Sequence, residues 1–72
     1  MATELHNTFI SALEQLPDPH RQLLALHEFD GLSAEGISRV LGITRAQARV
    51  GLLQARLAMR LRLFNRMHAE AA

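Results

Sequence analysis

Residues 32–61, LSAEGISRVLGITRAQARVGLLQARLAMRL, contain two helical patterns separated by a very short turn. Ser33 is predicted to cap the first helix, because a serine side chain accepts hydrogen bonds from the free amides of a helix start. In the turn, Gly42 permits a positive φ, and Thr44 is predicted to cap the next helix. A short turn with an early glycine predicts a helix-turn-helix over residues 33–60.

The rest of the chain adds two more predicted helices and leaves no segment that reads as a strand. Thr3 is predicted to cap the first helix and Asp18 the second, and Asp30-Gly31 supplies a left-handed stop. The predicted helices cover about residues 4–16, 19–29, 34–41 and 45 to at least 67. We therefore expect an all-α, four-helix domain in which residues 1–72 form a single unit.

Apolar residues at helical spacing predict which helix faces are buried. The predicted core residues are Leu5, Phe9, Leu13 and Leu16 in the first helix, Leu23 and Leu26 beside His27 in the second, Ile37, Val40 and Leu41 in the third, and Ala48, Leu52, Ala55 and Met59 in the fourth, with Leu63 at the edge. Gly51 is the only helix-breaking residue in the fourth predicted helix, and glycine at an interior position lowers helix stability by about 1 kcal/mol relative to alanine.

The composition of the chain excludes several classes of protein. Of the 72 residues, 49% are hydrophobic and only 4% are aromatic, which is typical of a small helical protein. The absence of cysteine excludes disulfides, thiolate catalysis and cysteine-based zinc sites. No stretch approaches the roughly 20 apolar residues that span a bilayer, and the N-terminus does not resemble a signal peptide. We expect a soluble cytoplasmic protein with no membrane partner.

Charge is divided between the two halves of the chain. Residues 1–38 carry six acids and one arginine, a net charge of −5, whereas residues 39–72 carry seven arginines and one acid, a net charge of +6. This asymmetry favours an anionic partner for the basic half, and nucleic acid is the commonest such partner. The alternative is that the two halves pair with each other.

Four arginines of the last helix, Arg45, Arg49, Arg56 and Arg60, fall within an arc of about 60° beside its predicted core face. Because a guanidinium presents a planar fork of donors and stays charged, this row is predicted to contact DNA phosphates. The alternative is a solvated ridge paired with acids such as Glu28 or Glu35. Gln47, Gln54 and either Arg45 or Arg49 are the candidates for reading base edges.

A second apolar arc of the last helix lies away from the core face. It contains Val50, Leu53, Leu57, Leu61 and Phe64. An exposed apolar stripe of this kind usually marks a protein contact. The alternative is that the first helix folds across the stripe and makes it part of the core.

Nothing in the sequence indicates an enzyme, a cofactor or a small-molecule substrate. The four histidines, His6, His20, His27 and His68, lie on three different predicted helices, without the spacing of a metal site. Ser11, Ser33 and Ser38 have no nucleophile motif around them.

The chain resembles region 4 of bacterial sigma factors, the extracytoplasmic-function type in particular, over about residues 10–61. The matching elements are Leu13, Leu16-Pro17, Arg21-Gln22-Leu23-Leu24, Asp30-Gly31-Leu32-Ser33, Glu35, Ile37, Val40-Leu41-Gly42-Ile43, Ala55-Arg56 and Ala58-Met59-Arg60. The resemblance implies a domain that recognises promoter DNA in the major groove and docks on RNA polymerase. Since the 72 residues do not contain the family's other large domain, we expect a lone region 4, a fragment of a longer sigma factor or a small regulator derived from one.

Most departures from the family pattern lie in the fourth predicted helix, which is the recognition helix of the family's helix-turn-helix. The positions of Val50, Gly51, Leu53, Gln54 and Leu57 are usually polar or basic in the family, and four of the five are apolar or glycine here. Gly36 also replaces a usual acid, and Ser38 a small apolar residue. Two functions follow: transcription regulation, with Ser33, Thr44, Arg45, Gln47, Arg49, Gln54, Arg56 and Arg60 on double-stranded promoter DNA, or a protein-interaction module that binds RNA polymerase, an anti-sigma-type protein or a second copy of itself.

Overall fold

The structure, a computed structural model, describes the backbone of residues 2–71 and the side chains of residues 3–65. Its helices are α1 (Ala2–Glu14), α2 (Asp18–Glu28), α3 (Ala34–Leu41) and α4 (Arg45–Ala71), and no strand is found among residues 2–71. The predicted all-α, four-helix fold is confirmed. Within the described part of the chain, no helix is both long enough and apolar enough to span a membrane.

Two of the predicted helix caps are wrong. Thr3 lies inside α1, because the helix begins one residue earlier, at Ala2. Pro17, in an extended conformation, precedes α2, and Asp18 is already the first helical residue. The Asp18 carboxylate forms an ion pair with Arg21 one turn later and makes no cap hydrogen bond.

The predicted ends of α3 are confirmed by its hydrogen bonds. The Gly36 amide donates to Ser33 Oγ at 3.2 Å, which satisfies one free donor of the helix start. Gly42 has a φ of +68°, and the Ile43 amide donates to the Ser38 carbonyl at 3.1 Å. This left-handed turn redirects the chain into α4, as a helix-turn-helix requires.

The core consists of two clusters that share α4. The first joins α1, α2 and α4 and contains Ala12, Leu13, Leu16, Leu24, Ala55 and Met59. The second joins α2, α3 and α4 and contains Leu23, Ile37, Ala48 and Leu52. The predicted core face of α4 is confirmed, because its four residues are at most 6% exposed and Leu63 packs at the edge.

Two predicted core residues, Leu5 and Val40, are instead 73% and 60% exposed. On α1, the residues that pack against α4 begin at Phe9, one turn beyond Leu5. On α3, Ala34 and Leu41 lie to one side of the fully buried Ile37 and Val40 lies to the other, about 100–120° around the helix from them. In α2, Leu24 is only 2% exposed although it is not among the predicted core residues.

Gly51 lies where Leu23 of α2 packs against α4. A Cβ built at this position would lie 2.6 Å from Leu23 Cδ1, closer than such atoms can approach. The glycine therefore makes room for a core leucine, and the local cost of glycine in the helix is offset by this packing.

Candidate nucleic-acid interface

Burial of one face of α4 leaves its arginines on the outside. Arg45, Arg49, Arg56 and Arg60, which we call the arginine row, are all exposed. Since all four residues lie within an arc of about 60° next to the buried face, their positive charges share one side of the domain. The row is about 22 Å long, at a rise of about 1.5 Å per residue.

Among the side chains of residues 3–65, no acid forms an ion pair with the arginine row, so the alternative of a ridge paired with acids is not observed there. Glu35 pairs with Arg39 at 3.0 Å, one turn away on the same helix. Glu28 lines the same surface depression as Arg56 and Arg60 but makes no ion pair with either. The row therefore keeps its charges available to an anionic ligand.

Arg56 is held in place by a histidine of α2. One of its terminal nitrogens lies 2.7 Å from His27 Nε2, and His27 Nδ1 lies 2.8 Å from the Leu32 carbonyl oxygen. A carbonyl only accepts and a guanidinium only donates, so His27 is neutral in this arrangement, with its proton on Nδ1. This link between the α2 terminus, the following loop and α4 was not predicted from the sequence.

The start of α4 is closed by a reciprocal pair of hydrogen bonds. The Gln47 amide donates to Thr44 Oγ1 at 3.0 Å, and the Thr44 amide donates to Gln47 Oε1 at 2.9 Å. This capping box confirms Thr44 as the cap of α4. It also turns the Gln47 side chain back toward the backbone and occupies the oxygen that would accept a hydrogen bond from adenine.

The remaining predicted DNA contacts lie at two other places. Ser33 stands at the start of α3, where its hydroxyl oxygen accepts the Gly36 amide. Gln54 is exposed on α4, on the same side as Gln47 and about 120–180° around the helix from the arginine row. The structure therefore separates the predicted base readers Gln47 and Gln54 from the predicted phosphate contacts on α4.

The apolar stripe of α4 lies between these two polar regions. Val50, Leu53, Leu57, Leu61 and Phe64 are 54–61% exposed. The expected alternative, in which α1 covers the stripe, is not what the described residues show. Ala12 and Leu13 of α1 pack instead with Ala55 and Met59 on the opposite, buried face of α4.

The histidines do not form a metal site in the part of the chain whose side chains are described. His6 is exposed on α1, and His20 and His27 are half-buried on α2. No group of three metal-ligating side chains was found among the described residues. His68 lies outside the described side chains.

Comparison with known proteins agrees with the geometry. No curated protein and no solved structure matches the chain. The family model described as Sigma-70, region 4 matches residues 6–59, which is most of the chain and includes the entire turn between α3 and α4. The predicted resemblance to sigma region 4 is thereby confirmed, and domains of this kind act as DNA-binding regulators and not as enzymes. The chain belongs to the sigma-70 region 4 family, whose helix-turn-helix domains bind DNA in the regulation of transcription.

Proposed function

We propose that this domain binds double-stranded promoter DNA through α4 and acts together with RNA polymerase. The observation that carries the proposal is the arginine row, which places four exposed guanidiniums on one side of α4, the helix that follows the turn. None of them is paired with an acid among the described side chains. Each guanidinium can form two parallel hydrogen bonds to a phosphate. A row about 22 Å long can reach several phosphates, since duplex DNA carries one charge per about 1.7 Å.

The helix starts add uncharged contacts in this arrangement. Ser33 and Thr44 use their hydroxyl oxygens to accept backbone amides, which leaves each hydroxyl hydrogen free to donate to a phosphate. Helix N-termini also favour anions because of their free amides and dipole. These contacts would fix the position of the domain on the duplex but carry no sequence information.

Only a few side chains are available to contact the base edges of DNA. Arg45 or Arg49 can pair with guanine through two hydrogen bonds. Gln54 can pair with adenine in the same way, but only if the duplex also reaches the side of α4 about 120–180° around the helix from the arginine row. Gln47 would first have to leave the capping box, because its oxygen is engaged there. We therefore expect most of the affinity to come from phosphates, with modest discrimination between DNA sequences.

The test compares two arginines of α4. Arg49 belongs to the row, whereas Arg62 is exposed beside Ala12 and Gln15 of α1. Arg49→Gln and Arg62→Gln remove the same charge from the same helix. In fluorescence anisotropy with a labelled duplex, Arg49→Gln should weaken binding by about tenfold, since a charge-assisted hydrogen bond contributes about 1.5–3 kcal/mol, and Arg62→Gln by less than about twofold. If Arg49→Gln and Arg62→Gln lost the same amount of DNA affinity while keeping the helical content of the wild type, the proposed orientation of α4 on DNA would be contradicted.

The apolar stripe supports a second candidate function, which is binding of a protein partner. Five half-exposed apolar side chains along one helix form a contiguous surface of the kind found at protein contacts. The candidate partners are RNA polymerase, an anti-sigma-type protein and a second copy of the chain.

The polymerase version can be tested with purified core enzyme. Leu53→Ser removes one residue of the stripe, and Gln54→Ser changes its exposed neighbour as the matched control. If the stripe docks on polymerase, only Leu53→Ser should reduce co-elution on size-exclusion chromatography. Retention of the complex by Leu53→Ser and by Leu57→Ser would exclude the stripe as the polymerase contact.

A further inference from the structure

The spacing of the apolar stripe is symmetric about its central residue. Leu53 and Leu61 lie four residues to either side of Leu57, and Val50 and Phe64 lie seven residues to either side. If a second α4 ran antiparallel across Leu57, each stripe residue would meet its counterpart: Leu57 its own copy, Leu53 the partner copy of Leu61, and Val50 the partner copy of Phe64.

We propose that the occupant of the stripe is a second copy of this chain, paired through α4 in an antiparallel, two-fold arrangement centred on Leu57. The proposal deepens the second candidate function by naming its partner, and it does not depend on DNA binding. A two-fold pair of this kind closes on itself and uses the same surface on both copies.

The fold leaves room for this pairing. The residues of α4 that pack against the other helices, Ala48, Leu52, Ala55 and Met59, face the side of α4 opposite to the stripe. The helices α1–α3 would therefore lie on the two outer sides of the pair. The three- and four-residue steps of the stripe match the seam of two helices packed at a small angle.

The size of the stripe predicts a weak dimer. Only five half-exposed apolar side chains contribute from each copy. Interfaces below about 1,200 Å² are typical of weak or transient complexes. We therefore expect exchange between monomer and dimer at micromolar or higher concentrations.

The charges around the stripe add a second expectation. The arginine row lies about 90° around α4 from the stripe, so the two-fold axis would place both rows on the same side of the pair. Their mutual repulsion weakens the dimer at low salt and is screened at high salt. Dimerisation should thus strengthen as salt is added, whereas phosphate binding weakens.

The same arrangement gives the dimer a spacing that fits duplex DNA. Arg45 lies twelve residues before Leu57, so the two copies of Arg45 would be about 36 Å apart along the paired helices, at a rise of about 1.5 Å per residue. One turn of B-DNA is about 34–36 Å long. A duplex could therefore contact both ends of the pair and offset the repulsion between the two rows.

Cysteine cross-linking tests the register, because the chain contains no native cysteine. Leu57→Cys should form a disulfide-linked dimer under mild oxidation at least about tenfold faster than Leu53→Cys or Gln54→Cys alone, since a disulfide requires Cα atoms within about 7 Å. Leu53→Cys mixed with Leu61→Cys should cross-link, although neither does so alone. Equal rates for Leu57→Cys and Gln54→Cys would overturn the proposed pairing.

Sedimentation equilibrium without DNA supplies the second measurement. The wild-type chain should show a reversible monomer–dimer equilibrium that shifts toward dimer as salt rises. Leu57→Glu should be monomeric, because two carboxylates would meet at the two-fold axis, and Gln54→Glu should retain the dimer. A wild-type chain that stays monomeric at about 1 mM, where even a weak dimer with a Kd of about 1 mM is substantially populated, would overturn the proposal and leave the stripe to a different protein. Loss of DNA affinity in Arg49→Gln with dimerisation intact would bear on the DNA proposal alone.

Discussion

At the scale of single residues, the His27 side chain of α2 forms hydrogen bonds with two other parts of the domain. Its Nδ1 donates to the Leu32 carbonyl in the loop before α3, and its Nε2 accepts from Arg56 on α4. One neutral ring thus ties together the end of α2, the entry to the helix-turn-helix and a member of the arginine row. The position of Arg56 toward a ligand is consequently set by a residue outside the recognition helix.

His27→Ala should lower the free energy of unfolding by about 1–2 kcal/mol, because two hydrogen bonds of a half-buried side chain are lost. DNA affinity should fall only slightly and its salt dependence should not change, since Arg56 keeps its charge. Urea unfolding and anisotropy measure the two effects. His6→Ala, on the exposed part of α1, is the control and should stay within about 0.5 kcal/mol of wild type. A His27→Ala protein as stable as the control would show that the link contributes nothing.

At the scale of the helices, Leu23 of α2 packs into space on α4 that is open because Gly51 has no side chain. Leu23 occupies the space that a Cβ at this position would need. Two effects therefore oppose each other in Gly51→Ala. Alanine raises the helix propensity by about 1 kcal/mol, and overpacking against Leu23 costs about 1–3 kcal/mol.

A double-mutant cycle separates these effects. Gly51→Ala should be neutral or destabilising in the wild-type chain. In the Leu23→Ala background, where the obstructing methyl groups are gone, the same change should stabilise the protein by up to about 1 kcal/mol. Thermal or urea unfolding of the four proteins gives the coupling. If Gly51→Ala has the same effect in both backgrounds, Leu23 is not what excludes a side chain at this position.

The helices also show which features a sequence can predict. The caps at Ser33 and Thr44 and the turn at Gly42 depend on residues only a few positions apart, so their spacing was sufficient to predict them. Thr44 followed by Gln47 three residues later is also the sequence pattern of a capping box, and this box gives Gln47 a structural role in addition to its predicted base reading. A local pattern can therefore predict one role of a side chain while a second role, here in a helix cap, goes unpredicted.

Burial was harder to predict, because it depends on where distant helices cross. Leu5 follows the periodicity of α1 but lies one turn beyond the residues that meet α4. Val40 and Leu41 are adjacent in sequence, and the positions of α2 and α4 against α3 decide that Leu41 is the one partly buried. The exposure of the apolar stripe likewise depended on which face of α4 receives α1. No spacing within α4 specifies that choice.

At the scale of the whole molecule, the acidic and basic halves form no ion pair with each other among the side chains of residues 3–65 except the one between Glu35 and Arg39. Both ion pairs found there are local, Asp18 with Arg21 and Glu35 with Arg39, and each lies within one helix. The arginine row on α4 therefore remains a source of positive potential along one side of the domain. Such a potential favours association with a polyanion.

The salt dependence of DNA affinity tests most directly whether the arginine row binds DNA phosphates. If all four members of the arginine row neutralise phosphates, the slope of log K against log salt concentration should be about −3.6, since each contact contributes about −0.9. Arg49→Gln should reduce the slope by about one contact, and Arg62→Gln should leave it unchanged. Anisotropy titrations between about 50 and 200 mM salt provide these slopes. Absence of binding at the lowest salt, or a slope near zero, would contradict the proposal that the arginine row binds DNA.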